Sequence, residues 1–118
     1  MTDYSGPERR QYPRMDSKFV VSYRIKQNPN GYDLSQTKNV SQGGMLLTTN
    51  KLFPKDTSLA MTIRFPFVAQ KIELTGRVIA SREIVRDLIY ETRIQFLDLD
   101  QDFFRKLGEF IVTHLKQK

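Results

Sequence analysis

The chain has 118 residues, 39% of them hydrophobic, 27% charged and 11% aromatic, which is the make-up of one ordinary globular domain and excludes a disordered, fibrous or two-domain chain. It holds no cysteine, which excludes a disulfide scaffold, a cysteine nucleophile and any thiolate metal site, and its one histidine, His114, leaves no histidine cluster for a metal. The net charge of +6 predicts an anionic partner: nucleic acid, a nucleotide or an anionic membrane surface.

Residues 1 to 18 are polar, carry Pro7 and Pro13 and lack strand or helix periodicity, so they are expected to form a mobile basic arm ahead of a folded domain over 19–118. They contain no continuous apolar run, so neither a signal peptide nor a membrane-spanning helix is expected, and a cytoplasmic location follows. Phe19, Val21, Tyr23 and Ile25 then alternate with polar or exposed positions, the period of a half-buried strand. Asn28-Pro29-Asn30-Gly31 is a turn. Tyr32 to Val40 reads as a second strand, polar enough for a sheet edge, and Ser41-Gln42-Gly43-Gly44 breaks it.

Met45 to Thr49 is a short apolar strand, and Leu59, Met61, Ile63 and Phe65 alternate through another until Pro66. Ile72, Leu74, Gly76, Val78 and Ala80 share one parity of the next strand, which a charged break at Arg82-Glu83 and Arg86-Asp87 ends. Tyr90, Thr92, Ile94 and Phe96 complete about six strands at the spacing of a sandwich or barrel. Over 100–117 the period changes: Phe103, Phe104, Leu107, Phe110, Ile111, His114 and Leu115 recur at helical steps, with Asp98 or Asp100 as cap and Asp102, Lys116 and Lys118 placed to suit the helix dipole. The apolar face of this helix must dock on the open end or face of the sheet.

Two polar stretches stand apart from this pattern. Arg9, Arg10 and Arg14 put three guanidinium groups within six residues of the arm, each able to pair bidentately with phosphate or guanine, or to stack on a purine. Asn39 and Ser41 are two residues apart, so their side chains face one way and can hydrogen-bond one ligand edge, while Gly43-Gly44 allows close backbone approach. Taken alone, the arginines also fit a solvated basic tail, and the glycines also fit a plain turn between strands.

Together, the two stretches read Arg10-Gln-Tyr-Pro-Arg14 and Asn39-Val-Ser41-Gln-Gly-Gly44, matching Arg-x-x-x-Arg and (Asp/Asn)-x-Ser-x-x-Gly in order and separation. In these motifs, and in nearly its whole length, the sequence resembles the PilZ domain family. The resemblance implies an all-β fold with one C-terminal helix, a six-stranded antiparallel β-barrel, and a receptor for cyclic di-GMP rather than an enzyme. It implies a ligand set of Arg10, Arg14, Asn39, Ser41 and Gly44, to which Arg9, just ahead of the motif, adds a third guanidinium expected to favour an intercalated ligand dimer; no cofactor besides the ligand is expected, and signalling through a protein partner is. Neither DNA or RNA binding nor membrane insertion is expected. The chain departs from the family at Arg93-Ile94-Gln95-Phe96, where the first position is often glycine, and at Asn39, where aspartate is also common.

Two other functional readings remain open at this point: a PilZ-like interaction module that does not bind nucleotide, and a nonspecific nucleic-acid binder drawn by charge alone. Asp98, Asp100, Asp102 and Glu109 imitate the acid spacing of a calcium loop, but Phe103 stands where that loop needs glycine, so the acids are assigned to helix capping. Arg105, Lys106 and Glu109 lie on the outer helix face, where a partner could touch them.

Overall fold

In the computed structural model, which describes residues 12–28 and 31–117, the alternating stretches form strands β1 (Met15–Asp16), β2 (Val20–Ile25), β3 (Tyr32–Val40), β4 (Gly44–Thr49), β5 (Ser58–Ile63), β6 (Ile72–Val85) and β7 (Ile89–Leu97), followed by helix α1 (Gln101–Lys116). Strands pair in the order β3-β2-β5-β6-β7-β4, and β4 returns to pair with β3, so six antiparallel strands close into a barrel. The two-residue β1 adds to β3 outside this ring.

The barrel strands send alternate side chains inward, with register shifts in β3 between Thr37 and Asn39 and in β6 between Val78 and Ala80. Val21 and Tyr23, Met45 and Leu47, Leu59, Met61 and Ile63, Leu74 and Val78, and Ile94 and Phe96 form the core. The helix closes one end. Phe103, Leu107 and Ile111 are buried from it, and the rings of Phe19, Phe65, Phe67, Phe103 and Phe110 pack together beneath it. Each of those three buried side chains contributes about 1.5–3 kcal/mol, so the helix is held by this stripe rather than by its own propensity. Asp100 is the cap: its carboxylate accepts the Phe103 N–H at 3.0 Å. Asp98 instead takes a left-handed φ of 54° in the turn out of β7.

Two expectations are corrected. The stretch 12–18 does not stand off the domain as an arm. Met15 is 2% exposed and pairs with Val40, and Asp16 pairs with Asn39, because the Met15 side chain is large enough to fill the core beside Val40. The charged residues Arg82-Glu83 do not break a strand. β6 continues to Val85 and forms a long hairpin with β7, in which Arg82 pairs across to Glu91 at 3.3 Å; only Arg86-Asp87-Leu88 turn, with Asp87 at φ 59°. Charges on an outward face of a hairpin are stabilised by cross-strand partners, so they do not mark a loop. No helix among the described residues is long and apolar enough to cross a membrane.

Candidate nucleotide-binding site

The site is assembled where β1, β3 and β4 meet. β1 and β2 lie along the same edge of β3, interrupted at 17–19, and Thr37 bridges the interruption. Its buried hydroxyl donates to the Ser17 carbonyl at 2.7 Å and accepts the Phe19 N–H at 2.9 Å. The Thr37 N–H also donates to the Phe19 carbonyl at 2.9 Å. Arg14 precedes buried Met15 and is therefore carried on backbone that the core anchors.

Asn39 sits near the end of β3 with Asp16 on one side and Leu46 on the other. The turn that follows is closed by its own backbone. The Ser41 N–H donates to the Gly44 carbonyl at 2.9 Å, the Ser41 hydroxyl oxygen accepts the Gly43 N–H at 3.1 Å, and the Gly43 carbonyl accepts the Phe96 N–H at 2.9 Å. A Cβ on Gly44 would collide with the Ile94 carbonyl oxygen, so the glycine is required by the close approach of β7, before any ligand is considered. Ser41 thus serves the turn through its oxygen and keeps its hydroxyl hydrogen for another acceptor.

Around this turn runs an open cleft of about 320 Å³ lined by Tyr12, Arg14, Asn39, Ser41, Gly43, Gly44, Met45, Ile79, Arg93, Ile94 and Gln95. It brings together four of the predicted residues, Arg14, Asn39, Ser41 and Gly44, from two motifs on separate elements. Arg9 and Arg10 lie outside the described residues. Sequence reasoning missed Tyr12, Met45, Ile79, Arg93, Ile94 and Gln95. The outward parity of Arg93 and Gln95 against buried Ile94 and Phe96 was legible, but the adjacency of β7 to β4 is a product of barrel closure.

The eleven lining residues include two arginines and no acid, so the cleft favours an anion. Gln95 is held by Arg77, whose guanidinium donates to its side-chain oxygen at 2.6 Å. Glu91, two residues along β7 from Arg93, is taken by Lys38 and Arg82; the Lys38 hydrogen bond above all holds its carboxyl below the ordinary range, against burial, the next largest effect, which raises it, while the Arg82 hydrogen bond adds to the lowering. The turn is also joined to the helix. The Tyr12 ring meets Phe104 edge-on at 5.5 Å and lies against Gly43, and the Gln42 amide donates to the Phe104 carbonyl.

The model of the PilZ domain matches residues 8–113, a span that takes in both motifs and all of the barrel. The chain belongs to the PilZ domain family. Solved structures similar to this PilZ domain include the inhibitor of motility MotI/DgrA of Bacillus subtilis, with a TM-score of 0.77 at 18% identity over 93% of this chain and 53% of that one. A complex of MrkH from K. pneumonia with c-di-GMP gives 0.71 at 20% identity over 92% and 53%. The PilZ domain of YcgR from Escherichia coli with c-di-GMP gives 0.67 at 14% identity over 92% and 93%. This PilZ domain spans about half the length of the first two of these chains, and at such identities the likeness is one of fold. No curated protein sequence matches it significantly.

Proposed function

We propose that this PilZ domain is a receptor for cyclic di-GMP that transmits ligand binding to a protein partner. The observation that carries the reading is the meeting of Arg14, Asn39, Ser41 and Gly44 in one acid-free cleft, although the two motifs that supply them are separate in sequence. The amide of Asn39 offers a donor and an acceptor, and Ser41 a hydroxyl, to the N–H and carbonyl groups of a guanine edge. Arg14, with Arg9 and Arg10 ahead of it, supplies guanidinium groups for phosphate and for the faces and edges of the bases. Binding is equilibrium recognition with no bond made or broken.

Transmission starts at Tyr12 and Arg14. A ligand held by Arg14 bears on Tyr12 and on the turn 41–44, and that turn and Tyr12 both touch Phe104 of α1. Several charge-assisted hydrogen bonds offset the entropy of fixing the arginine side chains on the ligand. The helix and the surface around it then present a different face to the partner.

The test is calorimetric titration of the chain with cyclic di-GMP, GTP and a short RNA at two salt concentrations. The expected result is saturable binding of cyclic di-GMP, no comparable binding of the other two, and loss of binding in Arg14→Ala and Ser41→Ala. Equal binding of all three ligands with steep salt dependence identifies a nonspecific polyanion binder and overturns the reading. No binding of any of them leaves an interaction module and overturns it as well.

A further inference from the structure

Among the described residues Arg93 is placed unlike the other arginines on the barrel strands, Arg24, Arg77 and Arg82. It projects outward from the middle of β7, between buried Thr92 and Ile94, so its backbone is fixed by the sheet on both sides. Its cross-strand neighbours are Leu46 on β4 and Ala80 on β6, neither of which offers an acceptor side chain. Arg24 and Arg64 reach backbone carbonyls, Arg77 reaches Gln95, and Arg82 reaches Glu91. Among the described residues Arg93 reaches none of these acceptors, and Glu91 on its own face is already engaged by Lys38 and Arg82. A cation kept out of ion pairs on a rigid strand, at the rim of a cleft without acids, is arranged to meet an anion that comes from outside.

Its position relative to Arg14 narrows the kind of anion. Strands follow one another as β1, β3, β4 and β7 around the cleft, so Arg14, just ahead of β1, and Arg93, on β7, line it from its two sides. Asn39, Ser41 and Gly44 lie between them. A ligand seated on that central group has one cation at each flank, which suits a molecule carrying two separated anionic groups.

We infer that Arg93 is a second phosphate-binding residue of the cleft, gripping a phosphate of the bound cyclic dinucleotide from the side opposite Arg14. The inference rests on the receptor reading above and adds to it a residue that lies outside both sequence motifs, at a position where this chain carries arginine rather than glycine. Arginine supplies two parallel N–H donors to a phosphate, and lysine only a point charge.

The experiment measures the cyclic di-GMP Kd by calorimetry at low and high salt for the full chain, Arg14→Ala, Arg93→Ala, Arg93→Lys and Arg86→Ala. Arg86→Ala loses the same net charge at the exposed hairpin turn and serves as the control. Expected for Arg93→Ala is a loss of affinity of about ten- to a hundredfold, the range of a charge-assisted hydrogen bond, with a weaker dependence on salt and an unchanged thermal midpoint. Arg93→Lys keeps the salt dependence and loses less affinity, and Arg86→Ala binds like the parent. Affinity within twofold of the parent in Arg93→Ala, while Arg14→Ala loses binding, overturns the inference and leaves the receptor reading standing. Equal losses in the Ala and Lys variants with unaltered salt dependence assign Arg93 to base stacking and overturn the phosphate role. Absence of cyclic di-GMP binding by the parent chain overturns the receptor reading, and the inference falls with it.

Discussion

The side-chain amide of Gln42 donates a hydrogen bond of 2.9 Å to the backbone carbonyl of Phe104. This one contact joins the turn between β3 and β4, which shapes the cleft, to the helix that closes the barrel. Gln42 also rests against Gly108, one turn further along α1, where a Cβ would run into the amide itself. The absence of a side chain at 108 is what lets the turn approach the helix.

Gln42→Ala is expected to lower stability by about 1 kcal/mol, the net value of one partly buried hydrogen bond. Gly108→Ala also displaces the Gln42 amide, but the displaced group is the far end of a flexible side chain, and alanine favours the helix by about 0.8–1 kcal/mol over glycine. The two effects nearly cancel, so Gly108→Ala should unfold close to the parent midpoint although the Gln42 contact is lost. Chemical denaturation of both variants decides it: a Gly108→Ala variant as destabilised as Gln42→Ala shows that the turn cannot retreat from the helix.

Gly44 and Ser41 belong to one motif and should fail in different ways. A side chain at 44 meets the backbone of Ile94, which cannot move without breaking the pairing of β4 with β7. Gly44→Ala should therefore cost about 2 kcal/mol or more, as overpacking against a rigid neighbour does. Ser41→Ala loses a local hydroxyl bond in a partly exposed turn and should cost about 1 kcal/mol or less. Thermal unfolding of the two variants without ligand checks this, and equal midpoints would count against a structural role for Gly44.

The barrel was legible because its strands are half-buried, so inward and outward residues differ in polarity at every second position; the helix was legible because its buried residues Phe103, Leu107 and Ile111 fall on one stripe. The two motifs were legible as local runs of unusual residue type, and Arg14, Asn39, Ser41 and Gly44 do line one cleft. Arg93 and Gln95 escaped because they join the site through pairing of β4 with β7, a contact between residues almost fifty positions apart that no local pattern records. β1 escaped for a different reason: two residues are too few to show a period, and Met15 is buried by the β3 segment it pairs with. The hairpin end of β6 was hidden by its charges, whose partners lie on the facing strand.

Thr37→Val keeps the shape of a buried side chain and removes its hydroxyl, leaving the Phe19 N–H and the Ser17 carbonyl without their side-chain partner. At about 1–3 kcal/mol for an orphaned buried group, the variant should lose about 3 kcal/mol. The loss should be local as well as global, because Thr37 spans the break between β1 and β2 and so anchors the strand that carries Arg14 into the cleft. Hydrogen exchange at the Phe19 amide should accelerate more than exchange at Val21, which stays paired in the barrel. Uniform acceleration at both would mean that Thr37 does no more than fill space.

Glu91 gives the fold a pH dependence with a definite sign. Its side chain is only 10% exposed, and the hydrogen bond from Lys38, aided by the lesser one from Arg82, outweighs burial and holds its carboxyl below the ordinary value of 4.5. A carboxyl with a lowered folded-state pKa binds its proton more readily in the unfolded chain. Its stabilisation is therefore complete above the unfolded value and is lost as pH falls through the folded one. Asp102, held low chiefly by Arg105 and then by Lys106, acts in the same direction. Denaturant midpoints should thus fall as pH is lowered from about 5 towards 3. Glu91→Gln should be less stable than the parent at pH 7, approach it at the acid end, and show a shallower slope between, the remainder belonging in part to Asp102. Parallel pH profiles for the parent and Glu91→Gln would remove Glu91 from the account.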